Sequence, residues 1–102
     1  MKEIKEIALD IRCMLAEGDK YGKEAVKHKT QFPELAKVYV QISDNRVKEI
    51  NALHDQVLML IEKVKKEGKE IPSSMMAVWD WEHENMIEEM SGIKRWQEMY
   101  KG

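Results

Sequence analysis

The sequence is poor in the residues that form turns and cross-links. Its 102 residues include five glycines, two prolines and one cysteine, Cys13. So few turn-forming residues leave little room for a β fold with many turns, and a single cysteine excludes an intrachain disulfide bond. A chain with so little cysteine is typical of a reducing compartment. We therefore expect a cytoplasmic protein in which Cys13 is small and partly buried.

The chain also lacks an excess of either charge and any long apolar run. It carries 17 basic and 19 acidic residues, a formal net charge of −2. Because a nucleic-acid-binding protein usually carries a basic excess or a dense basic face, we expect no nucleic-acid partner. The unbroken apolar runs are short, as at Val57–Ile61. They are far from the roughly 20 residues that span a bilayer, so we expect no membrane partner.

Two breaks divide the chain into three long segments. Pro33 suits the first position of a helix, Gly68 suits the left-handed residue after one, and Ser73 or Ser74 could cap the next. With apolar residues recurring at helical spacing between the breaks, we predict one all-α domain over residues 1–102, built from three long antiparallel helices. The predicted helices cover about 3–29, 33–67 and 73–100.

Each predicted helix has an apolar face. On helix 1 this face comprises Ile4, Ile7, Ile11, Leu15, Gly18, Gly22 and Ala25. On helix 3 it comprises Met75, Trp79, His83, Met86, Met90 and Ile93. Because a glycine inside a helix costs about 1 kcal/mol relative to alanine, Gly18 and Gly22 indicate the close approach of a neighbouring helix. The apolar arc of helix 2 covers almost half its circumference, which predicts that helix 2 occupies the centre of the bundle.

Three helices make an incomplete four-helix bundle, which a second copy of the chain or a partner helix could complete. On helix 3, Trp81, Trp96 and Met99 lie away from the centre of the apolar face. Tryptophan and methionine are enriched at protein interfaces. We therefore expect a homodimer, and we predict that these three residues contact a protein partner.

Polar residues interrupt the apolar faces. Arg46 lies within the face of helix 2 with Glu49 three residues on, which predicts a buried polar pair; Glu17 or Asp10 of helix 1 could also reach Arg46. Two alternatives stay open: Arg46 could extend to the rim of the bundle, or it could bind an anionic ligand.

Two histidines occupy similar positions. His54 lies in the face of helix 2, and His83 lies in the face of helix 3 with Asp80 three residues before it. An acid and a histidine at this spacing project to the same side of a helix and can share a metal. A metal site formed by His54, Asp80, His83 and Glu49 is therefore one alternative, with iron or zinc as the cofactor. Core histidines, or a pH-sensing or catalytic role, are the others.

Several segments share their spacing and their apolar or aromatic positions with one known family: Tyr21–Ala25, Phe32–Tyr39, Ile42–Ser43, Asn51–His54, Ile71–Pro72, Met76–Glu84 and Gln97–Tyr100. In these segments the chain resembles small ferritin-like (rubrerythrin-like) proteins, including short ones encoded in phage genomes. The resemblance implies a ferritin-like bundle. It does not imply the family's metal chemistry, because the positions matching its E-x-x-H motif hold Arg46 and Glu49, and Met14 stands where a first-helix Glu would fall.

The sequence contains none of the motifs G-x-S-x-G, P-loop, G-x-G-x-x-G or H-E-x-x-H. We therefore expect a non-catalytic protein-interaction module without a cofactor, on a ferritin-like scaffold whose metal positions are degenerate. The resemblance to phage proteins implies an accessory protein in the host cytoplasm, such as an inhibitor of a host defence system. A metal-binding or redox protein with a rearranged site is the first alternative. A protein that sequesters a small anionic ligand through Arg46 is the second.

Overall fold

A computed structural model describes residues 2–102 as three α-helices joined by two short connections. Helix α1 spans Lys2–His28, α2 spans Pro33–Lys66 and α3 spans Ser73–Lys101, and no strand occurs within residues 2–102. The all-α prediction is confirmed. The helix ends lie within one residue of those predicted, although the predicted domain begins at residue 1, which lies outside the described range.

The two connections use the residues that the sequence suggested, with one exception. Pro33 is the first residue of α2, and Gly68 adopts the left-handed backbone conformation, with φ of 73°. The expectation that Ser73 or Ser74 caps α3 is wrong. Pro72 holds the cap position, and its carbonyl accepts hydrogen bonds from the backbone N–H of Met75 at 3.0 Å and of Met76 at 3.1 Å.

Helices α1 and α2 form an antiparallel pair. The rings of Tyr21 and Tyr39 stack with centroids 5.7 Å apart, and Glu17 accepts a hydrogen bond from Arg46. Residue numbers therefore fall along α2 as they rise along α1. The third helix reverses direction again, which gives an up-down-up bundle with extents of 57 × 19 × 18 Å.

Helix α1, not α2, occupies the centre of the bundle, so the prediction for α2 was wrong. Arg12 contacts Glu82 and Asp19 contacts Trp96, so that α1 lies parallel to α3 along most of its length. Helices α2 and α3 share a far smaller contact area with each other than either shares with α1. Part of the wide apolar arc of α2 therefore stays exposed, as at Leu35.

Small residues on α1 explain why α1 is central. An added Cβ on Gly18 would lie 2.9 Å from Cδ1 of Ile93, and one on Gly22 would lie 3.0 Å from Cβ of Trp96 and 3.3 Å from Oγ of Ser43. The two glycines thus bring both neighbouring helices against α1, which confirms the predicted close approach. The remaining buried residues of α1 also belong to the predicted face, apart from Ala8.

One polar side chain, Ser43, lies fully buried where the three helices meet. Its hydroxyl donates a hydrogen bond to the carbonyl oxygen of Gly18 at 2.8 Å, and its Oγ accepts one from the amide of Gln97 at 3.1 Å. The hydroxyl is therefore satisfied by α1 and α3 together, as a buried polar group must be. Sequence analysis did not single out Ser43.

Candidate interaction surface

Trp81 is the large aromatic side chain that the bundle covers least. It is 59% exposed, and its ring lies beneath the guanidinium of Arg12, 5.6 Å from the ring centroid. Arg12 is at the same time bonded to the carboxylate of Glu82. A cation above the face of an indole is attracted by the ring's electron density, so Arg12 holds one side of the ring while much of the indole stays open to solvent.

The surface around Trp81 continues along α3 on the side facing away from the core. We call it the outer face of α3 and define it by six exposed residues: Val78, Asp80, Trp81, Glu84, Ile87 and Glu88. Residues three or four apart are neighbours on a helix surface, so these six form one continuous patch. Val78 is 48% exposed and Ile87 is 57% exposed, so apolar and acidic groups alternate across it.

The charge of the outer face has one sign. Between Lys69 and Lys94 the sequence holds no lysine or arginine. Within residues 2–102 the carboxylates of Asp80, Glu84 and Glu88 take part in no salt bridge. Sequence analysis named only Trp81 here and missed the acidic groups, although the long interval without a basic residue was a usable signal.

The other two predicted partner contacts lie elsewhere on α3. Trp96 is half-buried over Gly22, and its indole N–H donates a hydrogen bond to Asp19 at 3.0 Å, so its polar atom serves the bundle. Met99 is 50% exposed, but 18 residues of helix separate it from Trp81, about 27 Å along the axis. The three residues therefore do not form one patch, and their contact with a partner stays a prediction.

The predicted pair of Arg46 and Glu49 is present and includes a third member. Arg46 donates a hydrogen bond from Nη1 to Glu49 at 2.9 Å and one from Nε to Glu17 at 2.7 Å. The hydrogen bond to Glu17, with the charge of Glu49, raises the pKa of Arg46 above its usual range. The guanidinium is 30% exposed rather than buried. Two carboxylates beside it make a poor setting for an anionic ligand, because they would repel it.

The two histidines meet, but they do not form a ligand set. The rings of His54 and His83 stack with centroids 4.9 Å apart, and each lies 6.0 Å from the ring of the buried Trp79. Asp80 lies on the exposed side of α3. Nowhere in residues 2–102 do three His, Cys, Asp or Glu side chains form a group able to hold a metal ion. The metal-binding alternative therefore finds no support in the geometry of its proposed ligands.

Two further observations concern the chain as a whole. Cys13 is exposed, so the expectation that it is partly buried was wrong. Among the helices of residues 2–102, none offers an apolar stretch of the length that crossing a membrane requires.

Comparisons of the chain with protein-family models, with curated proteins and with solved structures found no match. What stands is a small three-helix all-α bundle, and the ferritin-like family remains a resemblance.

Proposed function

We propose that this protein is a non-catalytic interaction module that binds a protein partner through the outer face of α3. The observation that supports the proposal is the exposure of Trp81, held in place by Arg12 with more than half of its surface in water. Tryptophan is among the residues that most often dominate the energy of protein interfaces. A positioned, exposed indole has already lost part of the conformational freedom that binding would otherwise remove.

The apolar neighbours of Trp81 strengthen the case. Val78 lies one helical turn before Trp81 and Ile87 lies less than two turns after it, and both are about half exposed. Single exposed apolar residues are common on protein surfaces, but a cluster around a tryptophan is typical of an interaction site.

We also propose a ferritin-like origin for the scaffold. In the register of the resemblance, Arg46 and Glu49 occupy the positions of the metal-binding Glu and His. The ion pair between them, extended by Glu17, places a positive charge where a metal would lie. The finer hypotheses from the same resemblance are a phage accessory protein in the host cytoplasm, such as an inhibitor of a host defence system, and a homodimer that completes the bundle.

Site-specific photocross-linking in the organism that encodes the protein tests the interaction module. A photoreactive amino acid replaces Ala77, which is exposed one turn before Trp81. In the matched control it replaces Ala52, which is exposed on α2. We expect position 77 to cross-link one defined protein, position 52 not to do so, and Trp81→Ala to abolish the cross-link. Equal cross-linking from both positions, or a cross-link that survives Trp81→Ala, would refute the assignment.

A further inference from the structure

The carboxylates on the outer face of α3 repel one another. Asp80, Glu84 and Glu88 follow at intervals of four residues, which places each carboxylate next to the following one on the helix surface. Like charges at this spacing destabilise a helix. No cation within the described chain offsets this repulsion through a salt bridge, so a cationic group from outside would relieve it.

Apolar groups are interspersed with these carboxylates. The ring of Trp81 lies one turn before Glu84, and the side chain of Ile87 lies one turn after it. Both side chains are more than half exposed. A ligand that only neutralised the carboxylates would leave these groups in water, and a purely apolar ligand would desolvate three unpaired carboxylates. The complementary ligand must therefore be cationic and apolar at once.

The chain itself contains one example of this recognition. Arg12 lies over the ring of Trp81 and is bonded to Glu82, so a single guanidinium contacts both the indole and a carboxylate of α3. Glu84 and Glu88 lie on the other side of Trp81 and have no such counterpart. A second guanidinium or an ammonium group could occupy the equivalent place beside them.

From these observations we propose that the outer face of α3 binds a basic segment of a protein that also carries apolar side chains, as a basic amphipathic helix does. Its Arg or Lys residues would pair with Asp80, Glu84 and Glu88, and its apolar side chains would cover Trp81 and Ile87. Nucleic acids and anionic lipid surfaces have the wrong charge for this face. The inference rests on the proposed function and adds to it the chemistry of the partner.

A defined peptide tests this chemistry directly. The probe is a fluorescent amphipathic helical peptide with leucine on one face and lysine and arginine on the other, titrated against the whole protein and followed by anisotropy. We expect Trp81→Ala, and separately Glu84→Gln combined with Glu88→Gln, to weaken binding by roughly tenfold or more. An increase in salt to about 0.5 M should weaken binding by a similar factor. The same peptide with every basic residue changed to glutamate should not bind.

Nonspecific attraction between a basic peptide and an acidic protein is the main competing explanation. The matched control is Asp10→Asn combined with Glu62→Gln, which removes two exposed carboxylates from α1 and α2 and changes the net charge equally. We expect this control to bind within about twofold of the unmodified protein. An equal loss in the control would overturn the inference, and so would tighter Trp81-dependent binding of an RNA oligonucleotide or of phosphatidylserine vesicles.

The outcomes separate this inference from the proposed function. A Trp81-dependent cross-link from position 77 to a partner segment without basic residues would leave the interaction module standing and refute the basic chemistry. If Trp81→Ala changed neither the cross-link nor peptide binding, both proposals would fail. Circular dichroism of each variant shows whether the bundle is intact, which we expect because all substituted side chains are exposed.

Discussion

Trp96 packs directly against Gly22, so that a methyl group added to residue 22 would lie 3.0 Å from Cβ of the tryptophan. The same added methyl group would lie 3.3 Å from the hydroxyl oxygen of Ser43 on α2. Both contacts involve atoms close to a backbone, which have little freedom to move aside. Residue 22 thus sets the distance of α1 from both of its neighbours.

Replacement of Gly22 by alanine should therefore destabilise the protein. Alanine favours the helical state by about 1 kcal/mol relative to glycine, but overpacking of a tight contact usually costs about 1–3 kcal/mol. We expect Gly22→Ala to lower the free energy of unfolding by about 1 kcal/mol, measured by urea denaturation. Gly92→Ala is the matched control: an added Cβ there meets no atom within 4 Å, so it should raise that free energy by about 0.5–1 kcal/mol. Equal effects of the two substitutions would contradict the packing argument.

The sequence was sufficient to predict this part of the fold. Periodicity identified Ile11 and Leu15 as core residues, and two glycines on the same face indicated close contact. The order of the helices was not predictable in the same way, because an apolar arc shows how much of a helix is buried but not which neighbour covers it. On α2 the arc was wide, yet Leu35 and Leu58 remain exposed; the small residues of α1 determined the central helix instead.

The cluster of Arg46 with Glu17 and Glu49 should stabilise the bundle independently of pH across the neutral and moderately alkaline range. The pKa of Arg46 is raised in the folded protein, chiefly by the hydrogen bond to Glu17. A raised pKa stabilises the fold below the unfolded-state pKa, and the effect disappears only as the pH rises through the folded-state value, above about 12. We expect Arg46→Gln to lower the urea midpoint by the same amount from about pH 7 to pH 10.

Arg95→Gln is the matched control for Arg46, because Arg95 is exposed on α3 and forms no salt bridge within residues 2–102. It should leave the urea midpoint unchanged. A difference between Arg46→Gln and the unmodified protein that vanished by pH 10 would contradict the assignment to the guanidinium.

The candidate site was less predictable than the fold. Arg46 and Glu49 were recognisable as a pair because both lie on one helix, three residues apart. Glu17 was one of two candidates, and only the packing of α1 against α2 distinguishes it from Asp10. The hydrogen bond between Trp96 and Asp19 could not be read from sequence at all, because it depends on the parallel alignment of α1 and α3.

Metal content tests the degenerate ferritin-like register. We expect protein purified from cells supplemented with iron and zinc, without a histidine tag, to contain less than one metal ion per chain by elemental analysis, because the guanidinium of Arg46 repels a cation. The double variant Arg46→Glu with Glu49→His creates the E-x-x-H spacing of the resemblance, and it should acquire iron. Failure of this variant to bind iron would refute the register, and stoichiometric metal lost on His54→Ala or His83→Ala would instead support a rearranged site.

Reversal of one charge on the outer face of α3 should separate stability from binding. In the variant Glu84→Lys, two repulsive pairs, with Asp80 and with Glu88, become attractive pairs at the same spacing. Each such change is worth a few tenths of a kcal/mol, so the free energy of unfolding should rise by about 1 kcal/mol at low salt, and less at high salt because the charges are screened. The same variant should lose binding of the basic peptide. A gain in stability together with a loss of binding indicates that the acidic face is costly to the free chain and useful only in a complex. If Glu84→Lys destabilised the chain instead, the carboxylates would be serving the fold, and the acidic face would need a structural explanation.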